Sequence, residues 1–126
     1  MEGLRFLVVE DSPTMRQLIS FSLKRFKGCK IVEAVDGVDA LKKLQTEEVD
    51  MILTDINMPV MDGLEFVKQL SGVANAKGVP VVMITTEGSE SHVVQALSCG
   101  ARGYIRKPFT AEQVKEHVLP VLAVKT

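Results

Sequence analysis

Four polar signals stand directly behind four apolar runs in this 126-residue chain. Glu10-Asp11 follows Leu4–Val9, and Asp55 closes the run that opens at Asp50. Thr85-Thr86-Glu87 ends the run from Pro80, and Lys107-Pro108 follows Gly103–Ile105. If these runs are parallel strands, their ends lie along one edge of a sheet, where ligands of such sheets bind. Three carboxylates, a hydroxyl and an ammonium then converge from four strands. Glu10, Asp11 and Asp55 carry −3 when ionised, and Lys107 returns +1. Two carboxylates about 4 Å apart repel by roughly 4 kcal/mol at an effective dielectric near 20. Either one carboxyl keeps its proton or a cation sits among them. Mg²⁺ suits oxygen ligands, needs one or two carboxylates and accepts a phosphate. The lack of a nearby His or Cys speaks against zinc. A carboxylate beside Mg²⁺, Thr85 and Lys107 is set up to attack phosphorus and become an aspartyl phosphate. Asp55 is the expected nucleophile, because it ends a central strand with Glu10-Asp11 beside it.

Taken singly, each residue has a plainer explanation. An Asp or Thr after a strand is commonly a turn or cap residue, and a lone Lys is commonly a solvated charge. Their recurrence at four strand ends favours a shared site.

The elements that must position these groups are legible as a pattern. Five short apolar runs, Leu4–Val9, Lys30–Ala34, Asp50–Thr54, Pro80–Thr85 and Gly103–Ile105, alternate with stretches of helical period. The first, third and fourth are nearly continuous apolar, as in strands buried on both faces. Ser12 is expected to cap the first helix, with Pro13 at its first position and a buried face of Met15, Leu18, Ile19, Ser22, Leu23 and Phe26. Asp36 caps a second helix carrying Val38, Leu41 and Leu44. Asp62-Gly63-Leu64-Glu65 and Thr110-Ala111-Glu112-Gln113 read as capping boxes. Ser89 opens a fourth helix that ends near Cys99, with Gly100 as its stop. Pro120 is expected to kink or fray the last helix. The fold expected is α/β: a five-stranded parallel sheet with helices on both faces and right-handed crossovers, its strand order left open.

Composition narrows the function. Apolar residues make up 46% of the chain and the net charge is −1, which fits one folded unit over 1–126 and excludes disorder. A near-neutral chain is a poor match for nucleic acid as its main partner. No apolar run nears the ~20 residues of a membrane span, and the N-terminus does not read as a signal peptide, so a cytoplasmic protein is expected. Cys29 and Cys99 are expected to be buried reduced thiols.

The motifs Val8-Val9-Glu10-Asp11-Ser12, Leu53-Thr54-Asp55-Ile56-Asn57-Met58-Pro59 with Asp62-Gly63, Ile84-Thr85-Thr86, Gly100-Ala101 and Lys107-Pro108-Phe109 resemble, in order and spacing, the response-regulator receiver domains of the CheY-like family. The resemblance spans essentially the whole chain and implies a flavodoxin-like (βα)5 fold. It implies that Asp55 is the phosphoacceptor. Mg²⁺ would be held by Asp11, Asp55 and the Asn57 carbonyl, with Glu10 acting directly or through water. Thr85 and Tyr104 would be the switch pair, Lys107 would pair with the phosphoryl group, and the Lys107–Pro108 peptide would be cis. Asn57, Thr86 and Glu87 flank the path of phosphoryl group and water, and a phosphoryl lifetime of minutes or less is expected. Two departures stand out: Glu10 where the family usually has Asp, and Thr86 where it usually has Ala or Gly.

The resemblance further implies a two-component signalling switch rather than an enzyme, one that takes part only in its own phosphorylation and dephosphorylation. The donor would be a sensor histidine kinase or a histidine phosphotransfer protein. The altered face would be the fourth helix, fifth strand and last helix, around His92–Cys99, Tyr104 and Lys115–Leu119. His92 and His117 on that face read as solvated helix residues. A stand-alone chemotaxis regulator docking on a flagellar motor switch protein is the leading expectation. A phosphorelay shuttle, or a receiver cut from a longer regulator, stays open. A haloacid-dehalogenase-like phosphatase shares the Asp, Thr, Lys and Mg²⁺ chemistry. Its nucleophile, however, follows the first strand and has an acid two residues on, where this chain has Asn57. A flavodoxin-type flavin binder fits poorly, since Glu10-Asp11 repels phosphate and there is no Trp. A binding module that keeps the fold without phosphorylation also stays open.

Overall fold

In the computed structural model the described residues are 3–56, 58, 60–85, 94, 95, 97, 98, 100–107 and 109–125, excluding the side chains of 85 and 122–125. Five parallel strands form one sheet: β1 (Arg5–Val9), β2 (Lys30–Ala34), β3 (Met51–Asp55), β4 (Val81–Thr85) and β5 (Gly103–Arg106). Their order is β2-β1-β3-β4-β5, which places β3 in the middle. This is the flavodoxin-like order, the one CheY-like proteins have.

Side chains alternate across each strand with period two. Phe6 and Val8, Met51 and Leu53, and Val82 and Ile84 enter one buried cluster with Ile19, Leu23, Val114 and Val118. Leu7 and Val9, Ile52, and Val81 and Met83 enter the other, with Ala40, Leu44 and Phe66. Helices α1 (Pro13–Leu23) and α4 (Ala111–Lys125) therefore cover one face, and α2 (Gly37–Leu44) and α3 (Gly63–Gln69) the opposite one. Two single 3-10 turns, Leu70–Gly72 and Ala74–Ala76, lead from α3 toward β4.

The caps form as the residue types demand. Ser12 accepts from the Met15 N–H with Pro13 opening the helix, Asp36 from Asp39 N–H at 2.7 Å, and Asp62 from Glu65 N–H at 2.8 Å. Thr110 and Gln113 make both bonds of a capping box, at 2.9 and 3.1 Å, which satisfies two otherwise orphaned donors.

Four local expectations need correction. Leu18 is 50% exposed and Val38 47% exposed, so neither lies on a buried helix face. On α1 Ile19, Ser22 and Leu23 are buried as the period suggested, and Ser20 is buried beside them. The last helix continues through Pro120 to Lys125. The ring removes one backbone N–H, yet the helix does not fray there and is kept on both sides of it. Cys29 is a free thiol but only partly buried; its Sγ meets the Leu23 carbonyl at 3.4 Å. Between β4 and β5, Val94, Gln95, Leu97 and Ser98 are helical. Ser89, His92 and Cys99 lie outside the described residues.

Candidate phosphoryl-transfer site

All five strands point the same way, so their carboxyl ends share one edge. The order reverses between β1 and β3, and the crevice beside such a reversal is where ligands enter these sheets. Glu10 and Asp11 leave β1 there, Asp55 ends β3, and Lys107 follows β5. Ligand oxygens of Glu10, Asp11 and Asp55 lie within 4.8 Å of one another. Oxygens around Mg²⁺ sit about 2.0–2.1 Å from the ion, so opposite ligands stand roughly 4.2 Å apart. The three carboxylates fit that ion with small adjustment.

Lys107 holds the cluster together. Its Nζ donates to Glu10 Oε1 at 2.9 Å and to Asp55 Oδ2 at 3.2 Å. Its side chain is only 10% exposed, and those of Glu10 and Asp55 are 1% and 7% exposed. Burial alone would lower the Lys107 pKa. The hydrogen bond to Glu10 and the charges of Asp55 and Glu10 outweigh it, and the group is held above its ordinary value. Asp11 is exposed. A hydrogen bond with the Glu10 carboxylate, partial burial and the Glu10 charge raise its pKa, against an opposing pull from Lys107. The cluster thus resists the ionisation of Asp11.

Glu10 is fixed on every side. Its N–H donates to the Ala34 carbonyl at 3.0 Å, and its carbonyl accepts from Arg16 Nη1 at 2.9 Å. Its second carboxylate oxygen accepts from the Ser12 N–H at 3.1 Å. Both carboxylate oxygens of Glu10 are thus engaged, one by Lys107 and one by the Ser12 N–H.

The strand end at Asp55 is equally constrained. Thr54 Oγ1 donates to the Asp55 carbonyl at 3.1 Å, and Ile56 N–H donates to the Ile84 carbonyl at 3.2 Å. The following loop folds back so that Gly63 N–H reaches the Ile56 carbonyl at 2.8 Å. A Cβ at Gly63 would stand 2.2 Å from the Asp55 carbonyl oxygen. Only glycine allows that approach. Val60, in the same loop, has φ +70° and is 83% exposed.

The structure brings together Glu10, Asp11, Asp55 and Lys107. Thr85 ends β4 in register with Arg106. Tyr104 lies on edge strand β5 and is 39% exposed. His117 is exposed on α4. Asn57, Thr86, Glu87 and the Lys107–Pro108 peptide, expected to be cis, lie outside the described residues. Sequence reasoning missed Arg16 and the steric role of Gly63. Gly63 stood out only within the Asp62-Gly63 motif and its capping box, and nothing on α1 distinguished Arg16 from a solvated surface residue. A groove of about 690 Å³ between α1 and β2, lined by Leu18, Phe21 and Cys29 among others, includes none of the site residues.

Comparison with known proteins agrees with this geometry. The family model for the response regulator receiver domain matches residues 6–119. The chain is 42% identical over 120 residues to chemotaxis protein CheY1 of Helicobacter pylori, covering 94% of this chain and 97% of that one. It is also 42% identical to a CheY homologue of Campylobacter jejuni, with 94% and 92% covered. Among solved structures it is similar to the chemotaxis response regulator CheY4 of Vibrio cholerae, with 37% identity, 94% and 98% coverage and a TM-score of 0.87. It is similar too to the receiver domain of the sensor histidine kinase PA1611 of Pseudomonas aeruginosa, which has a magnesium ion coordinated in its active site cleft. That match has 25% identity, 96% and 98% coverage and a TM-score of 0.85. The chain belongs to the response-regulator receiver family and is CheY-like.

Proposed function

We propose that this chain is a phosphorylation-controlled switch, a single receiver unit over 1–126 that serves chemotaxis. The carrying observation is the buried pair of contacts from Lys107 to Glu10 and Asp55 inside a cluster of three carboxylates. Asp55 Oδ attacks phosphorus of a phosphohistidine on a sensor kinase or phosphotransfer protein. An O–P bond forms, the P–N bond breaks, and the departing imidazole takes up a proton. Asp11, Asp55 and the Asn57 carbonyl would hold Mg²⁺, with Glu10 acting directly or through water. When bound there, the ion supplies positive charge to the equatorial oxygens of the transferring group. Lys107 swings its ammonium from the Asp55 carboxylate to the new phosphoryl oxygens, and the Thr85 hydroxyl donates to another.

The charge at Asp55 grows by about −1 on phosphorylation. Recruiting Thr85 frees space for Tyr104 and biases a two-state equilibrium of the face made by the helix between β4 and β5, by β5 and by α4. That face then binds a protein target, with a flagellar motor switch protein as the proposed one. Asn57, Thr86 and Glu87 govern access of water, and the chain acts catalytically only on its own phosphoryl group. Support for chemotaxis comes from the names of the relatives at 42% identity. No helix among the described residues is long and apolar enough to cross a membrane, in keeping with a proposed cytoplasmic location.

The test is intact-protein mass after incubation with acetyl phosphate, with and without Mg²⁺, for the wild type and Asp55→Ala. The expected result is one added phosphoryl group that needs Mg²⁺ and is absent in Asp55→Ala. An adduct that persists in Asp55→Ala, or no adduct with either acetyl phosphate or a phosphorylated kinase, would refute the proposal.

A further inference from the structure

We propose that Arg16 is a positioning residue for the acidic pocket. It fixes the peptide between Glu10 and Asp11 by tying that peptide to strand β2. The inference rests on the function proposed above and concerns how the chain shapes its Mg²⁺ site.

The guanidinium makes two bonds in different directions. Nη1 donates to the Glu10 carbonyl at 2.9 Å, and Nε donates to Glu33 Oε1 at 2.9 Å. Glu33 immediately precedes Ala34, whose carbonyl accepts the Glu10 N–H at 3.0 Å. Glu10 is therefore held from the end of β2 on both its backbone groups, directly at its N–H and through Arg16 at its carbonyl. The register of β1 on β2, Val8 with Glu33 and Val9 with Ala34, sets the spacing of the two ties.

The pair with Glu33 is not the valuable part. The Arg16 side chain is 17% exposed and that of Glu33 46% exposed, and an ion pair this open contributes little to stability. The bond to the Glu10 carbonyl matters more, because it decides how the following peptide is turned. That peptide carries the Asp11 N–H, and rotating it moves the Asp11 carboxylate. It also shifts Ser12, whose N–H holds Glu10 Oε2. Mg²⁺ demands near-ideal octahedral geometry and tolerates little displacement of its ligands. The guanidinium holds Nε and Nη1 in one rigid plane and so fixes the two acceptors relative to each other, which a compact lysine ammonium does not reproduce.

The experiment compares wild type, Arg16→Met, Arg16→Lys and Glu33→Gln. Amide hydrogen exchange is measured on the metal-free proteins, and Mg²⁺ alone is titrated by calorimetry. In Arg16→Met the Glu10 and Ser12 amides should exchange faster while core amides such as Leu53 keep their protection. Its Mg²⁺ affinity should fall about tenfold, the lower end of what outer contacts to metal ligands supply. Arg16→Lys should not restore it. Glu33→Gln keeps an acceptor for Nε and should stay within about twofold of wild type. Arg16→Met binding Mg²⁺ like wild type would overturn the inference and leave the proposed function standing. So would a loss of protection spread evenly over the core, which marks a merely structural role. A wild type that binds no Mg²⁺ would overturn both.

Discussion

Asp11 and Lys107 show how two ionisable groups of one cluster are shifted for different reasons. Lys107 has its charge stabilised by two buried carboxylates, and its contribution to stability is lost only as pH rises through its elevated pKa. Asp11 has its charge destabilised by Glu10. A carboxyl raised in the folded state binds its proton more tightly than in the unfolded chain. Stability therefore falls as pH rises through that window, and the penalty is fully present above the folded pKa. Asp11→Asn should remove it. Metal-free Asp11→Asn should be more stable than wild type at pH 7 by less than about 1 kcal/mol, since exposure screens most of the repulsion. The gain should vanish below about pH 3.9, where Asp11 is protonated in both states. Urea melts at the two pH values check this, and a variant less stable at pH 7 would contradict it. The charged identities at this site were legible because acids and a lysine recur after strands. Arg16 was not legible, because its partner is a backbone carbonyl and sequence does not announce such a bond.

Elements explain why the same loop holds one indispensable and one uncomfortable residue. The turn after β3 must return under Asp55 to start α3, and Gly63 pays for that proximity by having no Cβ. Val60 meets the cost of the reversal with a left-handed backbone, which a β-branched residue disfavours by about 1–2 kcal/mol. Glycine there would relieve the strain but add about 0.5–1 kcal/mol of chain entropy to the cost of folding. Val60 is 83% exposed, so removing its side chain forfeits almost no burial. Val60→Gly should therefore stabilise the protein by about 0.5–1 kcal/mol in urea denaturation. A loss of stability would mean that the isopropyl group has a packing role. The caps at Ser12, Asp36, Asp62 and Thr110 were readable in advance, because each depends on residues three apart. The positive φ at Val60 was not, since the closure of the loop on Asp55 is a tertiary constraint. The exposure of Leu18 and Val38 escaped for a related reason: helical period marks a face but not its width.

At the scale of the molecule, the fold sets a stable two-sided core against a repulsive edge. Each central strand feeds both apolar clusters, so the strand ends are held rigidly while three carboxylates gather there. The class of fold followed from alternating runs and helical stretches. The order β2-β1-β3-β4-β5 did not, because nothing in a single chain's periodicity says which strands are neighbours. That order puts the β1 and β3 ends side by side, and with them the charges that resist being together. A ligand that binds only the folded arrangement must raise stability by mass action. Each tenfold rise in free Mg²⁺ above its dissociation constant should add about 1.4 kcal/mol. For a domain of this size that is a rise in Tm of roughly 5 °C per decade. Asp11→Asn should flatten the slope, because it removes a ligand while leaving the core untouched. NaCl matched to the ionic strength of each Mg²⁺ sample should give a smaller shift, since screening weakens the repulsion without bridging the oxygens. Equal shifts with NaCl and Mg²⁺ would mean that the carboxylates are merely screened, and that the edge does not form a metal site.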